Sequence, residues 1–271
     1  MKRNIDIHDI SKLNFDIEIH ILEEVSLKMI QPEHKHNFYE IILITEGVGV
    51  HQIDFKNFEL KNNQSFFLTP GQVYNMENLK SKGYIIAFSK EIFTQIQSNE
   101  NTTFSNLFNN NPIELTHHCF NNILTIISLL FKEKKKVKPH YHILRSLLTS
   151  LLLYYKEDIK IGNVEINNRM ILLSKLIESN FVNKRETKFY AQQLNISIKH
   201  LNDLTKDYFG KSVLNLLHER LILESKRELL FTNKDVKEIA YDLDFNDPSY
   251  FNRFFKKHVG HSPEDYRKSS K

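Results

Sequence analysis

Residues 236–267 read VKEIAYDLDFNDPSYFNRFFKKHVGHSPEDYR, and no other stretch constrains the fold as tightly. It spells two capped helices separated by a short turn. Asp235 stands as an N-cap, with Glu238 completing a capping box three residues on, and Ile239, Ala240 and Leu243 give the first helix an apolar face. The turn is Asp244 to Asp247. Asp247 then caps a second helix, Pro248 suits its first position, and Phe251, Phe254 and Phe255 recur at i, i+3 and i+4. With phenylalanine inward, Ser249, Tyr250, Asn252, Arg253, Lys256 and Lys257 face outward, a set suited to base edges and phosphates. Gly260 fits the C′ position that closes the helix.

The pattern occurs twice. Aligning Ala191 with Ala240 also pairs Leu194 with Leu243, Ile196 with Phe245, Leu201 with Phe251, Lys206 with Lys256, Gly210 with Gly260 and Ser212 with Ser262. One residue of slip in the turn is needed. The first copy, from Thr187, puts small Ala191 where two helices cross, makes Leu194, Ile196, Leu201 and Leu204 apolar, and offers Ser197 as the cap of its second helix. Between the copies, Ser212 to Phe231 contains no Gly or Pro and repeats Leu214, Leu217 and Leu221, the signature of one uninterrupted helix. About 20 residues at roughly 1.5 Å each span about 30 Å, close to one turn of B-DNA, so this spacer would present two recognition helices to successive major grooves.

Residues 169–271 therefore resemble the C-terminal domain of AraC/XylS-type transcription regulators, two helix-turn-helix units joined by a long helix. The resemblance is carried by Ser249-Tyr250-Phe251-x-Arg253-x-Phe255-Lys256-Lys257-x-x-Gly260-x-Ser262-Pro263-x-x-Tyr266-Arg267. It places the units at about 187–209 and 235–259 and implies groove-facing roles for Ser249, Tyr250, Asn252 and Arg253. Arg253 is the foremost base-contacting residue, since a guanidinium pairs bidentately with guanine. In the first unit the equivalents are Lys199, His200, Asn202 and Asp203, with Lys206 matching Lys256. Asp203 stands where many relatives carry a base; a carboxylate repels phosphate and accepts from cytosine. Asn195 and Asp244 occupy turn positions where the family often has Gly, which both residue types fill because they tolerate positive φ.

The N-terminal half reads differently. Short β-rich runs, IILIT, VGVHQIDF, FFLT and YIIAF, are punctuated by Glu46-Gly47, Asn62-Asn63 and Pro70-Gly71, which argues for a small antiparallel barrel. With His34-x-His36-x-x-x-Glu40-x-x-x-x-x-x-Gly47 and Pro70-Gly71-Gln72-Val73-Tyr74, this region resembles the cupin-like effector domain of the same family over roughly residues 15–90. His34, His36 and Glu40 could share a divalent metal, but Tyr74 stands where catalytic cupins bring a further histidine. The expectation is no metal and an effector-lining or structural role for His34, His36, Glu40 and Tyr74. Apolar stripes at Phe120 to Phe131 and Leu144 to Tyr155 then predict an antiparallel helix pair over about 116–157, packed on the barrel or serving as a dimer interface. The Lys132 to Lys138 run between them reads as a solvated turn, with DNA contact the alternative.

Composition bounds the rest. A chain of 271 residues with 41% apolar and 26% charged residues has room for two folded domains. Its net charge of +4 hides an asymmetry: residues 169–271 hold 19 Lys and Arg against 14 Asp and Glu, while residues 1–168 hold 18 against 19. The basic excess lies on the DNA-binding half. A single cysteine, Cys119, excludes an internal disulfide and a zinc-cysteine cluster. No segment has the length and apolarity of a signal core or a membrane helix, so the expected location is the cytoplasm.

The fold expected is α+β: a cupin-like barrel with a helical pair in residues 1–157, a linker at 158–168, and an all-α DNA-binding domain at 169–271. The function expected is a sequence-specific transcription regulator binding double-stranded DNA under a small-molecule effector, with no cofactor, no membrane partner, and RNA polymerase and a second copy as further partners. The alternative is a metal-dependent cupin enzyme with a DNA-binding appendage.

Overall fold

A computed structural model describes residues 7–8, 17–25, 34–77, 80–100, 104, 107, 112–161 and 168–269. The chain divides into two compact units, one holding Asp6–Glu165 and the other Ile166–Lys271.

The first unit is built on β1 (Ile7–His8), β2 (Ile17–Ile21), β3 (His34–His36), β4 (Tyr39–Glu46), β5 (Val50–Ile53), β6 (Lys56–Glu59), β7 (Gln64–Leu68), β8 (Val73–Glu77), β9 (Lys82–Phe88) and β10 (Ile113–Glu114). These form two five-stranded sheets, ordered β1-β3-β8-β5-β6 and β10-β7-β4-β9-β2. The expected cupin-like barrel takes the form of these two sheets, and β10 lies beyond the expected range of about 15–90. Strand β4 gives the physical reason, because its continuous apolar run has two faces to bury. Ile42 and Ile44, with Phe66, Leu68 and Ile85, meet Ile53, Tyr74 and Met76 of the other sheet. Ile41 and Leu43, with Phe67, Ile86 and Phe88, meet helices instead. The unit is layered, sheet on sheet on helix.

Those helices are α1 (Lys90–Asn99), α2 (His117–Lys134) and α3 (Tyr141–Ile161). The sequence reading had no counterpart for α1, which Ser89 caps by accepting from the Ile92 amide. Ile123, Ile127 and Leu130 of α2 share one core with Leu144, Leu148, Leu151 and Tyr155 of α3. Tyr155 ties that core to the sheet through a 2.7 Å hydrogen bond between its hydroxyl and Ser65 Oγ. Helix α3 runs to Ile161, past the boundary expected at 157. Of the expected linker at 158–168, residues 162–167 lie outside the described residues.

The second unit consists of α4 (Asn168–Asn180), α5 (Thr187–Gln193), α6 (Ile198–Phe209), α7 (Val213–Phe231), α8 (Val236–Asp242), α9 (Pro248–Val259) and α10 (Pro263–Ser269). Its core joins Ala191, Leu194 and Leu201 with Ala240, Leu243, Phe251 and Phe255 around Leu217 and Leu221 of α7. Arg220 of α7 forks onto Glu178 of α4 through two 2.8 Å contacts and lies over the Phe181 ring at 4.0 Å. The middle of the long helix is thereby held against α4 and the segment that follows it.

Candidate DNA interface and buried polar cluster

The two helix-turn-helix units are built to one plan. At the end of α5, Ile196 N–H donates to Ala191 C=O and Asn195 N–H to Gln192 C=O; at the end of α8, Phe245 donates to Ala240 and Asp244 to Tyr241. This is a Schellman pair in each copy. It demands a left-handed residue, and Asn195 and Asp244 supply it with φ of 52° and 57°. The second helix of each unit then starts on a side-chain cap, Ser197 accepting from His200 N–H and Asp247 from Ser249 N–H. Asp235 and Glu238 close the reciprocal capping box ahead of α8.

Inward packing fixes the outward faces. On α9, Phe251, Phe254 and Phe255 are buried, leaving Ser249, Tyr250, Arg253, Lys256 and Lys257 exposed, Tyr250 at 55%. Arg253 lies 6.0 Å from the Tyr250 ring centroid and 3.9 Å from Asp247, loose contacts that leave its guanidinium 69% exposed. Asn252 is half-buried and donates to Pro248 C=O at 3.0 Å. On α6, Lys199, His200, Asp203 and Lys206 are exposed, while Asn202 is half-buried and its Oδ1 accepts from Val213 N–H at 3.3 Å. The matched Asn202 and Asn252 thus both turn part of their hydrogen-bonding capacity inward.

Two arginines outside these faces support them. Arg185 donates through Nη2 to Leu243 C=O and through Nε to Val182 C=O at 3.0 Å, with its guanidinium 4.1 Å from the Phe245 ring centroid. It braces the second unit's turn from the lead-in to α5. Arg267, part of the sequence motif, donates to Leu229 C=O at 2.7 Å and to Lys234 C=O at 2.8 Å. Its role is to fasten α10 across the turn between α7 and α8.

In the first unit, four sequence-selected residues converge between the sheets, and all are buried. His34 pairs with Tyr74 across β3 and β8, their rings 4.2 Å apart. Glu40 reaches across from β4: the Tyr74 hydroxyl donates to both its oxygens at 3.1 Å, and His36 Nε2 lies 3.1 Å from Oε2. His36 Nδ1 contacts Phe38 C=O at 2.9 Å. Burial pushes the Glu40 carboxyl up, but the His36 contact and charge, then His34 and the Tyr74 hydroxyl, bring it below its ordinary value. Burial and the adjacent Glu40 push Tyr74 well up.

A fifth member, His51 of β5, was not singled out in the sequence. Its ring stands edge-on to Phe66 at 4.6 Å and to Tyr74 at 5.6 Å, and neither ring nitrogen has a hydrogen-bond partner. Burial pushes its pKa down to about 3, so the ring is neutral, one donor and one acceptor. Its signal was alternation: in Val50-His51-Gln52-Ile53 the histidine shares the buried face with Ile53. Among the described residues no three His, Cys, Asp or Glu side chains are arranged to hold a metal ion.

Comparison with known proteins matches residues 28–152 to the AraC-like ligand binding domain and residues 190–269 to a helix-turn-helix domain. The chain belongs to the AraC family. It is 25% identical over 258 residues to the HTH-type transcriptional activator RhaS of Mannheimia succiniciproducens, covering 91% of this chain and 93% of that one. To RhaS of Shigella dysenteriae it is 21% identical, covering 87% of each. ToxT from Vibrio cholerae overlays with a TM-score of 0.46 at 14% identity, over 93% of this chain and 98% of that one; at that level it adds nothing to the assignment.

As an AraC-type protein, the chain is a DNA-binding transcription regulator with a ligand-binding domain. Among its described residues no helix is long and apolar enough to cross a membrane.

Proposed function

We propose that this AraC-type regulator grips operator DNA with the outward faces of α6 and α9, under control of a small molecule held by the His34, His36, Glu40, His51 and Tyr74 cluster. The observation that carries the DNA reading is the repeated cap, turn and Schellman geometry, which exposes the same helix face twice. Arg253 pairs with guanine while Ser249, Tyr250 and Asn252 complete the second unit's base reading. Lys206, Lys256 and Lys257 take phosphates. In the first unit Lys199, His200, Asn202 and Asp203 read the neighbouring groove, Asp203 accepting from cytosine.

The effector assignment is supported by the unpartnered nitrogens of His51, deep among groups that already share protons. A ligand that satisfies them changes DNA binding only by preferring one of two conformations of the regulator. The division of labour that follows is sensing and dimerisation in the N-terminal unit, which includes α3 as far as Ile161, and DNA binding in residues 169–271, in the cytoplasm. Exposed Leu129, Ile143 and Tyr154 on the α2–α3 pair support a homodimer through those helices; RNA polymerase is the partner an activator requires.

The test is recovery of genomic fragments by the purified chain, with Arg253→Ala as control. Enrichment of a few promoter fragments that disappears in the variant supports the reading, and equal recovery by both proteins sinks it. Repeating the selection with metabolites of the adjoining genes tests the effector.

A further inference from the structure

Between α2 and α3 the chain reads Lys132-Glu133-Lys134-Lys135-Lys136-Val137-Lys138, five lysines in seven residues of a half-chain (1–168) that outside this run holds 13 Lys and Arg against 18 Asp and Glu. The structure sorts these lysines into two groups. Lys134 is turned back onto the fold, its Nζ 2.8 Å from Ile17 C=O and 3.0 Å from Glu18 Oε1. Lys136 is held by the buried Glu133 at 2.5 Å, and the other oxygen of Glu133 accepts from the His140 amide at 2.9 Å and meets His140 Nδ1 at 2.9 Å. Those contacts bring Glu133 down to about 2, Lys136 first and the His140 amide next. Glu133 is therefore an ionised latch that closes the turn from inside.

What the latch leaves outside is Lys132, Lys135 and Lys138, all exposed and without a carboxylate partner, around Val137 at the 100% exposed tip. An ordinary solvated turn has no need of a buried carboxylate to fix its shape, and three uncompensated cations on a fixed turn suit a polyanion. The chain already binds one polyanion through its other unit, and covalent connection raises the effective concentration of that same duplex at the turn.

We propose that the turn between α2 and α3 is a further DNA contact, in which Lys132, Lys135 and Lys138 take backbone phosphates of duplex flanking the operator. The proposal rests on the DNA-binding reading of α6 and α9. It assigns the turn no sequence preference, because lysine-phosphate contacts carry none.

The experiment compares the full chain with its Lys132→Gln/Lys135→Gln/Lys138→Gln variant on a recovered promoter fragment. One duplex is trimmed to the protected core and one carries about two helical turns, about 20 base pairs, on each side. Affinity is measured across a salt series. The expected result is that the variant loses affinity only on the long duplex, where its log-log salt slope is shallower by about 1 to 3. Equal slopes for both proteins on the long duplex overturn the proposal. So does an unchanged DNA slope accompanied by loss of binding to phosphatidylserine vesicles, which would make the turn a membrane contact. Arg253→Ala on the trimmed duplex separates the two readings: if it binds like wild type, the α6 and α9 assignment fails, whatever the lysines do.

Discussion

The Tyr74 hydroxyl donates to both oxygens of Glu40, 3.1 Å from each, and so joins the two sheets of the N-terminal unit through one buried carboxylate. Tyr74→Phe removes the donor and leaves the acceptor buried, which costs about 1–3 kcal/mol. The variant should unfold at lower denaturant concentration with an unchanged slope. An unchanged midpoint would show that solvent replaces the hydroxyl.

The same pair sets an acid limit. Glu40 has a folded-state pKa below the 4.5 of a free glutamate, so its stabilisation is fully present above that value and is lost as pH falls from there through the folded pKa. Thermal unfolding between pH 7 and 3 should therefore show a loss below pH 4.5 that Glu40→Gln removes. If the variant keeps the same acid limb, other carboxylates cause it.

On the recognition helix, residues of like charge have different work. Arg253→Ala should weaken operator binding by about 1–3 kcal/mol and relax preference at one base pair, whereas Lys256→Ala should weaken all sequences alike and reduce the salt slope by about 0.9. Binding to a panel of single-base operator variants distinguishes them. If Arg253→Ala lowers every affinity equally, the arginine is a phosphate contact.

Arg267 closes the sequence motif that marks the DNA-binding domain, and it spends its guanidinium on Leu229 and Lys234 carbonyls. Arg267→Ala should accordingly destabilise the C-terminal unit by about 1–3 kcal/mol, leaving two carbonyls unpaired, while the salt slope of the fraction that stays folded is unchanged. A reduced slope without loss of stability would reassign Arg267 to the DNA.

The C-terminal unit was legible nearly residue by residue because its rules are local. Caps at Asp235, Ser197 and Asp247, the positive φ of Asn195 and Asp244, and the phenylalanine stripe each depend on neighbours within five residues. The N-terminal unit was legible as strands but not as layers. Its β4 run is buried on both sides, and nothing in the four consecutive apolar residues Ile41 to Ile44 says whether helices or a second sheet lie on each face. His34, His36, Glu40 and Tyr74 could be chosen as a motif, but His51 joins them only through sheet pairing of β5 with β8. Arg185 was missed for the same reason, its partner Leu243 being far along the chain.

His51 gives the sharpest separation of stability from function. Its two ring nitrogens are buried without partners, a cost to the unliganded fold, and its pKa of about 3 lies below the ordinary histidine value of 6.5. The unfolded chain therefore takes up a proton on this residue between those values while the folded one does not, so stability should begin to fall as pH drops through 6.5. His51→Leu keeps an apolar contact with Phe66 and removes both the orphaned nitrogens and the proton uptake. It should be at least as stable as wild type at pH 7, lose part of the acid dependence between pH 6.5 and 4.5, and no longer respond to the effector in DNA binding. A variant that is more stable yet still responds would mean that the ligand binds elsewhere. One that is less stable at pH 7 would mean that the nitrogens are satisfied by water, and that the cluster is a structural hydrogen-bond network.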